Sequence, residues 1–154
     1  MSLPGSRILA SPALAPASVI EAFASVVTPH ISDKLGRHIG ARGLTRYNTT
    51  GKLVGTALTI KTRPGDNLYI YKALTLLEPG HVLVIDAQGD TNNAVIGELI
   101  KLYAEQRGCV GFIVDGAIRD VDSFRSSPCY ARGVVHCGPV SYTHLRAHET
   151  RGNL

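Results

Sequence analysis

The stretch from Gly97 to Asp120 constrains the fold more than any other part of the chain. Arg107 and Gly108 supply a cation and then a residue that tolerates positive φ, which predicts the end of a helix. Val110 to Val114 is a short apolar run that is typical of a buried strand. In and just before this stretch, apolar residues recur at helical spacing and predict a wide apolar helix face: Val95, Ile96, Leu99, Ile100, Leu102 and Tyr103.

The lengths of the helix and the strand predict which of their residues meet. A helix from Gly97 to Arg107 rises roughly 15 Å. A strand from Val110 to Asp115 covers about 17 Å. If the strand runs back beside the helix, it ends level with the first helical turn. We therefore expect Glu98 to meet the residues at and after the end of the strand, which are Asp115, Arg119 and Asp120.

A second pattern typical of a buried strand, Val82 to Asp86, ends at the same edge. Strand, helix and strand in this order predict a right-handed parallel crossover. Open sheets of this kind usually bind ligands at the carboxyl ends of their strands. The acidic residues gathered there therefore mark the expected site.

Two carboxylates and a guanidinium beside a helix N-terminus can bind a metal and a small organic acid together. Carboxylate oxygens suit a hard cation such as Mg²⁺, which keeps several of its waters. Arg119 can bind a carboxylate through two parallel hydrogen bonds, and free amides in the first helical turn add donors. The alternative is a surface network of Glu98, Arg119 and Asp120 without a ligand. Spacing alone leaves both interpretations open.

The start of this helix is ambiguous in the sequence. Asn93 could cap it, but Gly97 would then lie inside the helix at a cost of about 1 kcal/mol relative to alanine. A start near Gly97 would instead leave the amides of Leu99 and Ile100 free for an anion.

Other elements are predicted by local signals. Ser18 and Glu21 form the pattern of a capping box, and Thr28 before Pro29 is typical of a helix start. Asp66 or Asn67 is expected to cap a helix rather than bind a ligand. The predicted elements are helices over residues 18–26, 28–35 and 68–77 and a strand over residues 53–61.

Charge and cysteine content restrict the class of protein. The net charge is +4 at pH 7, but the basic residues are scattered, so nucleic-acid binding is not indicated. No apolar run is long enough to cross a membrane. Three cysteines without paired spacing argue against a zinc site or a disulfide framework, and favour a reducing, cytoplasmic location.

Gly97-Glu98-Leu99-Ile100 followed after twenty residues by Arg119-Asp120 resembles the signature of the RraA-like family. That family contains the 4-hydroxy-4-methyl-2-oxoglutarate aldolases and the regulator of ribonuclease E activity A. The resemblance covers roughly residues 18 to 139. Its other landmarks are Ser32-Asp33-Lys34-Leu35-Gly36, Gly55-Thr56-Ala57, Pro64-Gly65-Asp66-Asn67, Glu78-Pro79-Gly80, Val114-Asp115-Gly116 and Ala131-Arg132-Gly133.

The resemblance implies an α/β fold with a mixed sheet and flanking helices, an α/β/β/α sandwich of the swivelling-domain type. Residues 1–17 are expected to be a disordered lead-in, and residues 18–139 the domain, incomplete at its C-terminus. Residues 140–154 resemble a translated adapter sequence, so we expect a non-native tail with no metal role for His144 and His148.

The resemblance also implies a metal-dependent aldolase and oxaloacetate decarboxylase that releases pyruvate from 2-oxo acids. Asp120 would bind Mg²⁺ or Mn²⁺ directly and Glu98 through water. The pyruvate carboxylate would lie on Arg119 and the amides of Leu99 and Ile100, beside Gly97, in a homotrimer or hexamer.

Lys101, in the body of the helix, is expected to be a solvated charge. The alternative function is a non-catalytic regulator of the ribonuclease E type. The best-known regulator departs from the aldolase signature at the metal aspartate, whereas this chain keeps Arg119-Asp120.

Overall fold

The computed structural model describes residues 7–38, 40–49 and 51–140. Four α-helices, one 3₁₀ helix and six strands follow one another in these residues. The helices are α1 (Ala17–Ser25), α2 (Thr28–Lys34), α3 (Leu68–Leu74), α4 (Glu98–Gln106) and the 3₁₀ helix (Val121–Ser126). The strands are β1 (Thr45–Arg46), β2 (Thr56–Lys61), β3 (His81–Asp86), β4 (Ala94–Ile96), β5 (Gly111–Ile118) and β6 (Cys129–Val134).

The strands form one mixed sheet in the order β1-β6-β5-β3-β2, with β4 paired to β5 beyond this path. β1 is antiparallel to β6, and the other pairs are parallel. The mixed α/β architecture predicted from the sequence is confirmed. The parallel pairing of β3 with β5 also confirms the predicted crossover through α4.

The core lies on the face of the sheet that α3 and α4 cover. Neighbouring strands place apolar residues opposite one another there, with Leu83 beside Phe112 and Ile85 beside Val114. Phe112 also meets the buried Phe124 of the 3₁₀ helix edge-to-face, with ring centroids 5.6 Å apart. Such aromatic pairs add about 0.5–1.5 kcal/mol beyond the area they bury. The 3₁₀ helix is therefore fixed to the centre of the sheet.

The predicted end of α4 is confirmed. Arg107 is the C-cap, and Gly108 follows with φ +83°, a conformation that favours glycine. A Cβ at Gly108 would also lie 2.6 Å from the Cα of Pro79. Both the dihedral angle and the close approach therefore require glycine at this position.

The predicted apolar stripe is wrong at its N-terminal end. Val95 and Ile96 are buried, but they belong to the strand β4 rather than to a helix. Gly97 follows in an extended conformation and separates the strand from α4. Leu99 is then 78% exposed, and α4 buries only Ile100, Lys101 and Ala104. The stripe therefore combines a short strand with a helix that begins after Gly97, one of the two starts that the sequence leaves open.

Several predicted boundaries also need correction. The N-cap of α1 is Pro16 without a side-chain cap bond, so the capping box of Ser18 is wrong. Val27, not Thr28, is the N-cap of α2. The helix α3 ends at Leu74, and β5 continues past Asp115 to Ile118. The extension of β5 affects the site, because it places Arg119 and Asp120 beyond Asp115, where the sequence predicted the strand to end.

The first helix, α1, is attached to the domain by polar contacts. Neither α1 nor α2 buries a residue. Lys52 Nζ donates to the carbonyl oxygens of Phe23, Ala24 and Val26, which lie at the C-terminal end of α1. Ala15 N–H, just before α1, donates to Thr56 Oγ1 at 2.8 Å. Four hydrogen bonds, three from Lys52 and one to Thr56, thus hold this helix.

Residues 7–16 form neither helix nor strand, whereas residues 1–6 and 141–154 lie outside the described residues, as do His144 and His148. The lead-in and the non-native tail therefore stay predictions. Each helix in the described residues is too short or too polar to cross a lipid bilayer.

Two of the three cysteines, Cys109 and Cys129, are buried, and burial affects how these two thiols titrate. Burial raises the pKa of the Cys109 thiol, and it raises that of Cys129 from 9.0 to about 12. Between these values an unfolded chain has lost the Cys129 proton while the folded chain still holds it. Stability must therefore fall as the pH rises from 9.0 towards 12.

We expect Cys129→Ala to reduce this alkaline loss of stability, measured by urea unfolding across that pH range. Cys137→Ala is the control, because Cys137 is exposed. The buried environment of Cys129 would be contradicted if both variants kept the same alkaline slope as the parent chain, or if Cys129 reacted with a thiol reagent as fast as Cys137.

Candidate functional site

The candidate site is built on the passage from β4 into α4 at Gly97. Its backbone is extended, with φ −150° and ψ −164°, so positive φ is not the reason for a glycine here. The reason is close approach. A Cβ on Gly97 would lie 2.5 Å from Asp120 Oδ2 and 2.9 Å from Arg119 Cγ. Any side chain at this position would occupy the space that these two residues use.

Asp120 follows the end of β5 and begins the 3₁₀ helix. It has φ 55° and ψ 43°, the left-handed conformation, which aspartate tolerates better than most residues. Its carbonyl oxygen accepts hydrogen bonds from Ser123 N–H at 3.0 Å and Ser123 Oγ at 2.8 Å. Its carboxylate Oδ2 accepts the N–H of Glu98 at 3.1 Å. The backbone turn thus directs the carboxylate onto the first amide of α4.

Arg119 is fixed by its backbone and leaves much of its side chain accessible. Its N–H donates to the Ile96 carbonyl at 3.0 Å, which ties the end of β5 to the end of β4. Its Nε lies 3.6 Å from Asp120 Oδ2, and the two side chains are 44% and 47% exposed. A half-exposed ion pair at this distance contributes little stability. The guanidinium can therefore exchange this contact for a ligand.

The helix start that the sequence left open is at Gly97. The first helical amide that reaches a backbone carbonyl is that of Lys101, which donates to Gly97 O at 3.1 Å. The amides of Leu99 and Ile100 precede it, where a helix has no internal acceptors. They point out of the N-terminus and favour an anion.

A cleft of about 400 Å³ opens at this helix end. Its lining includes predicted residues, namely Gly97, Leu99, Ile100 and Arg119. It also includes residues that the sequence did not indicate as site residues. These are Asn67, Tyr71, Ala94, Val95, Ile96, Gly138 and Pro139.

The sequence predicted Asp66 or Asn67 as the cap of α3. Asp66 is confirmed in that role, because its carboxylate accepts the N–H of Leu68 at 2.8 Å. Asn67 is a buried polar residue that makes no side-chain cap bond. Only one of these two residues caps the helix, and the other, Asn67, lines the cleft.

Residues 137–140 form a strap along one wall of the cleft. Asn93 Nδ2 donates to Gly138 O at 2.8 Å, and Ala94 N–H donates to Cys137 O at 2.8 Å. Val140 N–H donates to Gly65 O at 2.9 Å. A Cβ on Gly138 would lie 3.0 Å from Arg119 Nη1. The strap therefore lies close against the Arg119 guanidinium.

Asp115 does not join this group as predicted. It forms an ion pair with Arg132 of β6, while Glu98 and Asp120 meet through the bond described above. The physical reason is the length of β5, which continues for three residues beyond Asp115. The two predicted partners of Glu98 that remain are Arg119 and Asp120.

The donor set at this site fits a hard cation that keeps most of its waters. Asp120 and Glu98 offer carboxylate oxygens at one helix end, and Mg²⁺ is commonly held by one or two carboxylates. No group of three or more His, Cys, Asp or Glu side chains suited to a metal occurs in residues 7–38, 40–49 and 51–140. A cage of protein ligands, as zinc prefers, does not fit these residues.

A second cleft of about 390 Å³ lies between the N-terminal segment and the edge strand β2. Its lining includes Ser11, Lys61 and Lys72, but none of the predicted site residues. We therefore assign the functional site to the cleft at the start of α4.

Comparison with known proteins identifies the family to which this chain is similar. The pattern of the RraA-like family, described as Aldolase/RraA, matches residues 28–149. A protein of Halalkalibacterium halodurans, named provisionally as a 4-hydroxy-4-methyl-2-oxoglutarate aldolase, is 38% identical over 122 residues. The match covers 75% of this chain, which spans only 57% of that relative's length.

Two solved structures share the fold. RraAS2 from Streptomyces coelicolor, an unusual member of the RNase ES inhibitor RraA family, matches with a TM-score of 0.70 and 23% identity over 80% of this chain and 67% of its own. The RNA-processing inhibitor RraA from Thermus thermophilis matches with a TM-score of 0.66 and 22% identity over 75% of this chain and 72% of its own.

The close approach at Gly97 gives a direct test of this geometry. Gly97→Ala should push Asp120 and Arg119 away from the helix end and destabilise the chain by about 1–3 kcal/mol, as overpacking does. Urea unfolding measures the loss. Gly133→Ala is the matched control, because a Cβ there meets Thr91 at an ordinary 3.5 Å. Equal stability of the two variants would contradict the packing described here.

Proposed function

This chain belongs to the RraA-like family, and we propose that it is a divalent-metal-dependent aldolase and decarboxylase that releases pyruvate from 2-oxo acids. One observation carries the proposal. The Asp120 carboxylate accepts the first amide of α4 and pairs with the half-exposed Arg119, which itself lines a cleft large enough for a small acid. This combination supplies a cation site and a carboxylate site side by side.

We assign the carboxylate of the substrate to Arg119 and to the amides of Leu99 and Ile100. The guanidinium presents parallel donors that match a carboxylate, and the helix N-terminus adds two more donors and a favourable dipole. Gly97 leaves the space that this arrangement needs. These groups bind and orient the 2-oxo acid half that becomes pyruvate.

We assign Asp120 as the direct ligand of Mg²⁺ or Mn²⁺ and Glu98 as the residue that holds a water of the cation. The bound cation supplies Lewis-acid stabilisation of the negative charge that develops on the 2-oxo oxygen. Asp120 Oδ2 is oriented by the Glu98 amide, so the carboxylate is held before any ligand arrives. Glu98 is in the first turn of α4 with its side chain exposed, where it can move a proton.

The reaction breaks the bond between C3 and C4, one carbon removed from the 2-oxo group. In aldol cleavage the 4-hydroxyl loses a proton, the bond between C3 and C4 breaks, and C3 takes up a proton as pyruvate forms. In decarboxylation of oxaloacetate the departing group is CO₂ instead. Both reactions need the same stabilised enolate. The names of the relatives favour 4-hydroxy-4-methyl-2-oxoglutarate as the aldol substrate.

An oligomer, a trimer or a hexamer, is part of the proposal. Apolar side chains stay exposed on α3 and α4 next to the cleft, and exposed patches of this kind often mark contacts between proteins. They are Leu68, Tyr71, Leu99, Leu102 and Tyr103. A second copy placed there would also enclose the cleft. We place the enzyme in the cytoplasm, because the three cysteines are free thiols.

A regulator of ribonucleases is the competing function, because two structural neighbours are inhibitors of RNA processing. Their identity to this chain is low, so the likeness concerns the fold alone. The site favours the enzyme, since Arg119 and Asp120 are arranged for a ligand. Inhibition of a ribonuclease by this chain, without pyruvate release from oxaloacetate, would support the regulator instead.

Asp120→Asn tests the cation site with little change of shape. Asparagine tolerates the left-handed conformation and can still accept the Glu98 N–H, so the fold should survive. Pyruvate release with Mg²⁺ should fall about a hundredfold or more, because the charged ligand is lost. A coupled lactate dehydrogenase assay measures it.

Asp122→Asn is the control for the cation site, since its exposed pair with Arg125 lies outside the cleft. Chelation by EDTA should abolish activity of the parent chain, and Mg²⁺ or Mn²⁺ should restore it. Full activity in EDTA would rule out the metal-dependent mechanism.

Arg119→Lys tests the carboxylate site. Lysine keeps the positive charge but loses the two parallel donors, so kcat/KM for oxaloacetate should fall about a hundredfold. The free energy of unfolding should change little, because the Arg119 pair is half-exposed. An unfolded variant, or one with unchanged kcat/KM, would instead support the purely structural network.

A further inference from the structure

Lys101 is a buried cation that the proposed reaction does not use. It was expected to be solvated, but it is only 6% exposed. The helix α4 turns it towards the interior, on the same face as Ile100 and Ala104. Its Nζ lies 3.0 Å from Glu105 Oε2, one turn further along α4. A lysine is rarely buried unless it is paired, so this pair calls for an explanation.

Glu105 extends the pair to the 3₁₀ helix. Its other carboxylate oxygen, Oε1, accepts the hydroxyl of Ser127, which is itself buried. Ser127 is the C-cap of the 3₁₀ helix, and its N–H donates to Phe124 O. The buried charge on α4 is thereby connected to the far end of the 3₁₀ helix.

The near end of the same 3₁₀ helix is Asp120. There the Asp120 carboxylate accepts the Glu98 amide at the start of α4. The two helices are thus joined at both ends, by Asp120 and Glu98 at the site and by Ser127 and Glu105 away from it. Phe124, fully buried against Phe112, lies between these two connections.

We propose that Lys101, acting through Glu105 and Ser127, is a positioning residue that keeps the Asp120 carboxylate on the Glu98 amide. The 3₁₀ helix has poorer hydrogen-bond geometry than an α-helix and is only six residues long. Phe124 holds the middle of this helix on the sheet, so the connections at its two ends set the direction of its axis. The second connection, at Ser127, fixes this axis relative to α4, and with it the direction of Asp120.

A partly buried ion pair can orient side chains even where it contributes little to stability. Lys101 is buried whereas the Glu105 side chain is 32% exposed, so desolvation of the lysine offsets much of the attraction and the pair adds little net stability. Removing one partner, however, leaves the other charge unpaired and poorly solvated. The Lys101–Glu105 pair holds Glu105 in a single orientation, which a flexible glutamate would not keep by itself. That orientation is the one that Ser127 requires.

Ser127→Ala is the most conservative test, because it removes one hydroxyl and keeps the packing. We expect amide hydrogen exchange at Glu98 to become about tenfold faster, since a hydrogen bond to a charged group is lost. Exchange at the amide of Ile85, in the centre of the sheet, should change much less. Ser127→Thr, which retains the hydroxyl, should restore slow exchange at Glu98.

Lys101→Met should give the same pattern, because it frees Glu105 from its partner. Arg125→Met is the matched control. It removes the exposed pair with Asp122 on the same 3₁₀ helix, and we expect no change at Glu98. Equal acceleration at Glu98 and Ile85 in Ser127→Ala would show that the network serves global stability only. An unchanged Glu98 amide in that variant would equally overturn the proposal.

The effect on catalysis rests on the proposed function, whereas the exchange measurement does not. In Ser127→Ala we expect kcat for oxaloacetate to fall about tenfold, with KM nearly unchanged. Mg²⁺ affinity, measured by calorimetry, should weaken in parallel. If the parent chain releases no pyruvate, the proposed function fails, but exchange at Glu98 still decides whether Lys101 positions Asp120.

Discussion

The hydrogen bond from the Glu98 amide to the Asp120 carboxylate is the interaction on which the site depends. It joins the first residue of α4 to Asp120, two residues beyond the end of β5, so it forms only if α4 begins level with the end of β5. The pairing of Ile96 in β4 with Ile118 in β5 sets that level, and Gly97 leaves the space. A hydrogen bond to a charged group contributes roughly 1.5–3 kcal/mol, which is enough to hold one carboxylate in one direction.

The geometry of the site therefore depends directly on the backbone of the sheet. Arg119 is bonded through its backbone to Ile96, and the strap at residues 137–140 lies close against its side chain. None of these contacts buries the guanidinium, which stays half-exposed at the cleft. A rigid backbone thus presents side chains whose charges are still accessible to water and to ligands. Relatives with this fold could change their chemistry by changing few side chains, because the backbone positions would remain.

The sequence predicted the parts of this arrangement that depend on local pattern and length. The rise of α4 and the span of β5 were sufficient to bring Glu98 near Arg119 and Asp120, and Gly108 marked the helix end. The strand β4 was missed because three apolar residues before a glycine fit a helical stripe as well as a strand. Asn67 and the burial of Lys101 were also missed. Both depend on which neighbours fill the space around a side chain, and local spacing carries no information about that.

The polar attachment of α1 has a thermodynamic consequence. A helix that buries no side chain fully exposes less additional apolar surface when it detaches than a helix of the core would. The heat capacity of unfolding and the sensitivity of unfolding to denaturant both follow the newly exposed surface, so detachment of α1 would change these two quantities less. Lys52 makes its contacts with backbone carbonyls, so they are insensitive to the side chains along the helix. The side chains of α1 can therefore vary to suit a surface that they contact. Such changes would cost the sheet little stability.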